Sequence, residues 1–308
     1  MRWRIDIVPA PLVQAAGIAI RLTRWWAAYL ITFGIVIVAA LLITPVVPPL
    51  QTSGIGLVSA LAAVLLHGVV LLLLFAWIKW YEQRPVRSVG FVGRMQKAQM
   101  LKGFGIGAGV FALATVVLAI VGAVHLTPTE SGPVRFDALL PALIMVPLWL
   151  FMAAAQEALS RGFLLQVTGL QLAAWTAIIG QSVLWAIVRA ASAGTTDLMA
   201  LLNLVCIGVV LAFVALRWGS LWLALGLQAG WSWFATSVLG ILTVGGPEPQ
   251  SILSLVPTSA SWLSGGQAGI VASPVVTVAV VLGGVVAYRR LLEQPGVPLP
   301  APPPPAYD

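Results

Sequence analysis

Polar side chains are scarce in this sequence, and a few stand inside long apolar runs at spacings that place them on common helix faces. Glu157 and Arg161, Trp185 and Arg189, and Gln228 and Ser232 are each four residues apart, so on helices each pair shares a face. A carboxylate so placed can hold an arginine, activate a water or ligate a metal. A guanidinium there is a permanent cation, and a Gln amide is a neutral hydrogen-bonding group that cannot serve as a general base near neutral pH. An unpaired charge in a lipid-bounded span costs several kcal/mol, so Glu157, Arg161 and Arg189 mark a packed or functional interior.

Two further chemistries are weighed against this pattern. A catalytic zinc needs three protein ligands from His, Cys, Asp or Glu, and the chain holds only His67 and His125. His67, among Leu and Gly, reads as a packed polar residue, and His125 as an interface residue, so no metal site is expected from them with Glu157. A nucleophilic serine at Ser160, Ser182 or Ser232 would need a neighbouring base, and no His is positioned for it. These serines read as helix-packing groups. The single Cys206 rules out an internal disulfide and reads as a small buried hydrophobe.

The elements that position these residues follow from composition. Of 308 residues 60% are hydrophobic and only 8% charged, too few polar groups to cover a water-facing globule. The expected class is all-α, a polytopic membrane protein with about eight spans near Trp26–Val46, Ile55–Ile78, Phe104–Val124, Leu139–Val167, Leu172–Arg189, Leu198–Leu216, Leu221–Ile241 and Gly269–Tyr288. The first run is too long for a signal-peptide core and is expected to stay as an anchor. At 1.5 Å per residue from the turn at Thr168–Gln171, Glu157 stands ~18 Å deep, Arg161 ~12 Å, Trp185 ~21 Å and Arg189 ~27 Å. From Gly219, Gln228 and Ser232 stand ~14 and ~20 Å deep. Three spans thus offer polar groups to one intramembrane locus, and Arg189 is expected to lean back onto Glu157, directly or through a water.

These residues resemble a known family, the CPBP intramembrane proteases, which include the CAAX prenyl endopeptidases and the bacteriocin-processing proteins. Gln156-Glu157-Ala158-Leu159-Ser160-Arg161 resembles its Glu-Glu-x-x-x-Arg motif, Leu184 to Arg189 its Phe-x-x-x-His, and Gln228-Ala229-Gly230-Trp231-Ser232 its His-x-x-x-Asn or Asp. Asn203, the stretch Arg217 to Trp222 and Trp262 to Gly266 add to the likeness, which runs from about residue 80 to 290. The resemblance implies a CAAX-protease-like core and, in active members, a water-activating Glu and His groups that act in catalysis or hold zinc. Those positions are here Gln156, Arg189, Gln228 and Ser232, and only Glu157 and Arg161 survive. The expected function is therefore a catalytically inactive member, without cofactor or metal, that binds a membrane protein or a lipidated or hydrophobic peptide. The alternative is an active CAAX-type endopeptidase with an altered site.

Residues 1–25 are expected as a cytoplasmic or interfacial segment in which Trp3, Ile5, Ile7 and Leu12 lie along the membrane surface, 26–290 as the transmembrane domain, and 291–308 as a disordered Pro-rich tail. The formal charge of +7 is carried beside apolar spans, where it meets anionic lipid, and no basic stripe suits nucleic acid. Fourteen of the sixteen Lys and Arg residues fall on one side, and Arg135 and Arg189 on the other. The positive-inside rule then places both termini in the cytoplasm of a cell-membrane protein. A cysteine introduced as Gln250→Cys is expected to react with an impermeant thiol reagent added outside intact cells. Labelling only after lysis would reverse the orientation.

Overall fold

The computed structural model describes residues 10–44, 56–93, 95–127, 134–240, 251–258 and 261–293. The expectations for Trp3, Ile5 and Ile7, for the Pro-rich tail and for position 250 lie outside the described residues. Apart from one two-stranded ladder, the described chain is helical. Its helices are α1 (Pro11–Gln14), α2 (Trp25–Ile43), α3 (Gly56–Ala76), α4 (Gln96–Ile120), α5 (Leu139–Leu159), α6 (Leu165–Gly169), α7 (Ala174–Ser192), α8 (Leu198–Trp218), α9 (Trp222–Trp233), α10 (Ser261–Ser264) and α11 (Pro274–Leu292). Strands β1 (Val124–Leu126) and β2 (Leu255–Pro257) pair antiparallel, His125 opposite Val256.

Seven helical runs are long and apolar enough to cross a membrane: Trp25–Ile43, Ala62–Glu82, Gln96–Ile120, Phe136–Gly169, Ala174–Ser192, Leu198–Trp218 and Pro274–Leu292. The expected span Leu221–Ile241 is not among them, its helix being shorter. Helix α9 runs into a π turn over Phe234–Val238 and stops. Its exposed carbonyls are taken by the returning chain, since the amides of Ile252, Leu253 and Leu255 donate to Ser237, Val238 and Leu239. Leu12 corrects a second expectation. It does not lie along the surface but is buried with Ala215 and Leu221, so α1 tucks under the bundle.

Helix ends are set by local chemistry. The Asp197 carboxylate accepts from the Ala200 amide at 2.8 Å to start α8, and Ser273 accepts from the Val275 amide at 3.1 Å, before Pro274 in the first turn of α11. Packing then depends on close backbone approach. Helix α4 meets α9 through Gly103 and Gly107 against Gly226 and Gly230. A Cβ at Gly107 would fall on the Leu227 carbonyl, and one at Gly230 on that of Phe104. Helix α9 also packs on α5, and α7 on α8, so α5, α7, α8 and α9 surround the motif residues.

A buried polar cluster anchors the base of this bundle. Glu82 accepts from Nε of Arg84 at 2.7 Å and from the Thr23 hydroxyl at 2.7 Å. Arg84 also donates to Ser88 at 2.9 Å and to Gln166 at 2.8 Å, and the Gln166 amide donates to the Ser88 carbonyl at 3.0 Å. This cluster holds residues 82–88 beneath the π turn Ser160–Leu164, where a Cβ on Gly162 would strike the Val89 carbonyl.

Gly109, two residues from Gly107 on α4, faces open space. Gly107→Ala is therefore expected to destabilise the detergent-solubilised protein by ~1–3 kcal/mol in thermal unfolding through forced separation of α4 and α9. Gly109→Ala is expected to be neutral or stabilising by up to ~1 kcal/mol. Equal effects of the two would show that the α4–α9 contact is not set by glycine.

Candidate functional site

The first motif helix ends in a distortion. Helix α5 carries Gln156 and Glu157, then widens into the π turn Ser160–Leu164, which contains Arg161. π turns inside α-helices recur at functional positions because the extra residue re-aims a side chain. Here the Arg161 guanidinium donates through Nη1 to Oε1 of Glu157 at 2.7 Å, and both side chains are 0% exposed. Nη2 of Arg161 donates to the Gly208 carbonyl on α8 at 3.0 Å, and the guanidinium lies over the Trp185 ring of α7, 4.9 Å from its centroid. That carbonyl is within reach because α7 and α8 approach closely: a Cβ on Gly208 would press to 2.8 Å from the Ser182 Cβ. One cation thus ties α5, α7 and α8 together.

Gln156, the neighbour of Glu157, points into a second chain of hydrogen bonds. Its Oε1 accepts from Nε2 of Gln228 on α9 at 2.7 Å, and its Nε2 stands 3.0 Å from Nε2 of His67 on α3. Nδ1 of His67 is 2.7 Å from the Ala63 carbonyl, which can only accept. The proton therefore sits on Nδ1, and Nε2 accepts from Gln156. The chain runs in one direction, Gln228 to Gln156 to His67 to Ala63, and links α9, α5 and α3. Ser232, one turn beyond Gln228, is buried but takes no part in this chain, its backbone carbonyl accepting from the Thr236 hydroxyl at 2.8 Å.

The expected convergence of α5, α7 and α9 is thus found for Glu157, Arg161, Trp185, Gln156 and Gln228. Arg189 departs from expectation. It makes no ion pair with Glu157, whose carboxylate turns one helical turn the other way, to Arg161. The indole of Trp185 packs against Arg161, the partner that Glu157 takes instead. Arg189 is half-buried and makes no ion pair among the described residues.

His67 was expected as a packing residue, and the structure puts it in the locus. Depth arithmetic carries this signal: His67 stands 15 residues, ~22 Å, before Glu82, close to the ~21 Å of Trp185 and within a turn of Glu157 above Thr168–Gln171. The Glu82–Arg84 cluster was also missed. Two charges two residues apart at the end of a span read as a surface loop.

The zinc that the resemblance implies does not fit these donors. His67 Nε2 is engaged by Gln156, Oε1 of Glu157 by Arg161, and the remaining neighbours are amides and cations. Among the described residues no three His, Cys, Asp or Glu stand together.

Removing one member of the buried pair should cost more than removing both. Arg161→Met or Glu157→Gln alone is expected to lose ~3–5 kcal/mol by stranding its partner, and the double variant less than the sum of the two. Additive losses in a double-mutant cycle of unfolding would mean that the pair is not coupled.

The family model for type II CAAX prenyl endopeptidases, Rce1-like, matches residues 138–234. No curated protein and no solved structure matches the chain. The matched segment runs from the start of α5 to the π turn after α9, so it contains all three motif helices and the Gly208 carbonyl, while His67 lies outside it. The segment 138–234, which carries all three motifs, is thus similar to the CAAX prenyl endopeptidases, and the chain is an all-α polytopic membrane protein.

Proposed function

We propose that this protein is a non-catalytic member of the CAAX-protease family, a pseudoprotease, that acts by binding a membrane-embedded peptide or protein partner at the locus where active members cut. The supporting observation is the position of Gln156, where the family motif has its water-activating Glu. A Gln amide cannot take a proton from water, and this one is held between Gln228 and His67. Glu157 is held by Arg161, and the guanidinium of Arg189 stands at the position of a family His. In this reading the protein lies in the cell membrane with both termini cytoplasmic, as the distribution of Lys and Arg favours.

One observation favours the second reading, an active endopeptidase with an altered site: the His67 imidazole reaches the locus from outside the motifs. To act as a base or ligand it would have to release Gln156. Zinc content of a chelator-free preparation and hydrolysis of a prenylated CAAX peptide separate the two readings. The pseudoprotease is expected to carry no stoichiometric zinc and to leave the peptide intact. Combined restoration by Gln156→Glu, Arg189→His, Gln228→His and Ser232→Asn is expected to create zinc affinity that the parent lacks. Cleavage by the parent that disappears in Glu157→Ala at unchanged folded yield would establish the active reading.

A further inference from the structure

The buried cluster around Glu82 and Arg84 lies outside the motif locus. A buried ion pair adds little net stability over apolar packing, so what this one supplies is position. It staples the chain that enters α2 to the end of α3. The Ile20 amide donates to the Glu82 carbonyl at 3.0 Å, and the Thr23 hydroxyl donates to Oε1 of Glu82 at 2.7 Å. Nε1 of Trp77 donates to the same hydroxyl at 3.0 Å. Gln171, in the turn before α7, donates through Nε2 to the Thr23 carbonyl at 2.8 Å and accepts from the Trp25 amide at 3.0 Å.

Three cations are positioned by this staple. Arg21 and Arg24 stand on either side of Thr23, Lys79 lies in the π turn Trp77–Glu82, and all three are exposed. Glu82 is the one acid among the described residues of 10–93, and it is 0% exposed and held by Arg84. None of the three cations makes an ion pair among the described residues. Like charges gathered about one point repel, and an anion from outside relieves this.

The surroundings say which anion. Ile20, Trp25 and Trp80, the chain neighbours of the three cations, are exposed apolar side chains at the ends of two candidate membrane spans. Indoles in that place settle at the headgroup level. A free anion in water would leave these side chains uncovered, and a zwitterionic headgroup would bring its own cation toward three others. A phospholipid of net negative charge offers its phosphate to the cations and its acyl chains to the apolar neighbours.

We infer that the base of α2 and α3 binds the headgroup of an anionic phospholipid through Arg21, Arg24 and Lys79, with Thr23 and Glu82 as the frame that holds the three in place. The site is separate from the motif locus and does not rest on the non-catalytic reading.

The test is equilibrium binding of dioleoyl phosphatidylglycerol and dioleoyl phosphatidylcholine to the full-length protein in uncharged detergent, with thermal unfolding of every variant measured alongside. Phosphatidylglycerol is expected to bind about tenfold or more tightly than phosphatidylcholine, a preference that weakens with added salt. Arg21→Gln, Arg24→Gln and Lys79→Gln are each expected to lower it about fivefold, and the triple variant to abolish it. Thr23→Val leaves the charge unchanged but frees the frame, and is expected to lower the preference, whereas Thr23→Ser keeps the hydroxyl and retains it. Lys102→Gln removes an exposed cation from α4, which packs on α9, and is expected to leave the preference intact. Equal binding of the two lipids overturns the inference. A preference unmoved by Thr23→Val, or lowered as much by Lys102→Gln as by Lys79→Gln, shows unlocalised basic charge and overturns it too. Displacement of phosphatidylglycerol by an equal concentration of inorganic phosphate would assign a free anion and overturn the lipid.

Discussion

A guanidinium and a carboxylate buried together at zero exposure constrain everything around them, because neither tolerates the loss of its partner. The Glu157–Arg161 pair meets this demand inside one helix, across a π turn, and then recruits neighbours for what the carboxylate leaves unfilled. The Gly208 carbonyl takes one N–H and the Trp185 ring takes the face of the cation. Both contacts require α7 and α8 to lie close, and Gly208 against Ser182 permits it. Arg161 thus works as a knot between three helices. Replacing the pair by apolar residues of similar volume can be neutral in principle, whereas breaking it cannot.

The second chain of hydrogen bonds has a different origin. Gln228 reaches Gln156 because α9 is held by backbone contact with α4 on one side and rests on α5 on the other. The amides of Gln156 and Gln228, at positions where the resembled motifs have an acid and an imidazole, hydrogen-bond to each other. A Gln both donates and accepts, so two of them and a neutral His can form a directed chain without any charge. Beneath, the Glu82–Arg84 cluster sets the height of the π turn by holding residues 82–88 under it. Two buried ion pairs therefore divide the labour: one fixes the base of the bundle and the other fixes its centre.

Much of this was legible in the sequence. Spacing alone put Glu157 with Arg161 and placed the Trp185 and Gln228–Ser232 groups at similar depths, since helical rise and periodicity are set by the backbone. Periodicity says which face a residue is on but not which partner a side chain takes, so Arg189 was assigned to Glu157, whose carboxylate pairs with Arg161. His67 was passed over for lack of a motif, although its depth matched. Leu12 looked interfacial because it sits among basic residues, and its burial depends on α1 folding back under α8, which no local pattern encodes. The early end of α9 is likewise a tertiary effect, produced by amides more than a dozen residues later.

The central claim is that Gln228, Gln156 and His67 are committed to one another, and His67 reports on it most directly. In protein carrying 15N-labelled histidine and the substitution His125→Gln, the imidazole nitrogens of His67 show by NMR which is protonated and whether either is free. The account predicts a neutral ring with one protonated nitrogen, Nδ1, and one accepting nitrogen, Nε2, both unchanged by stoichiometric zinc. A proton on Nε2, or a shift of Nε2 on adding zinc, would show that His67 is available for chemistry and would contradict it.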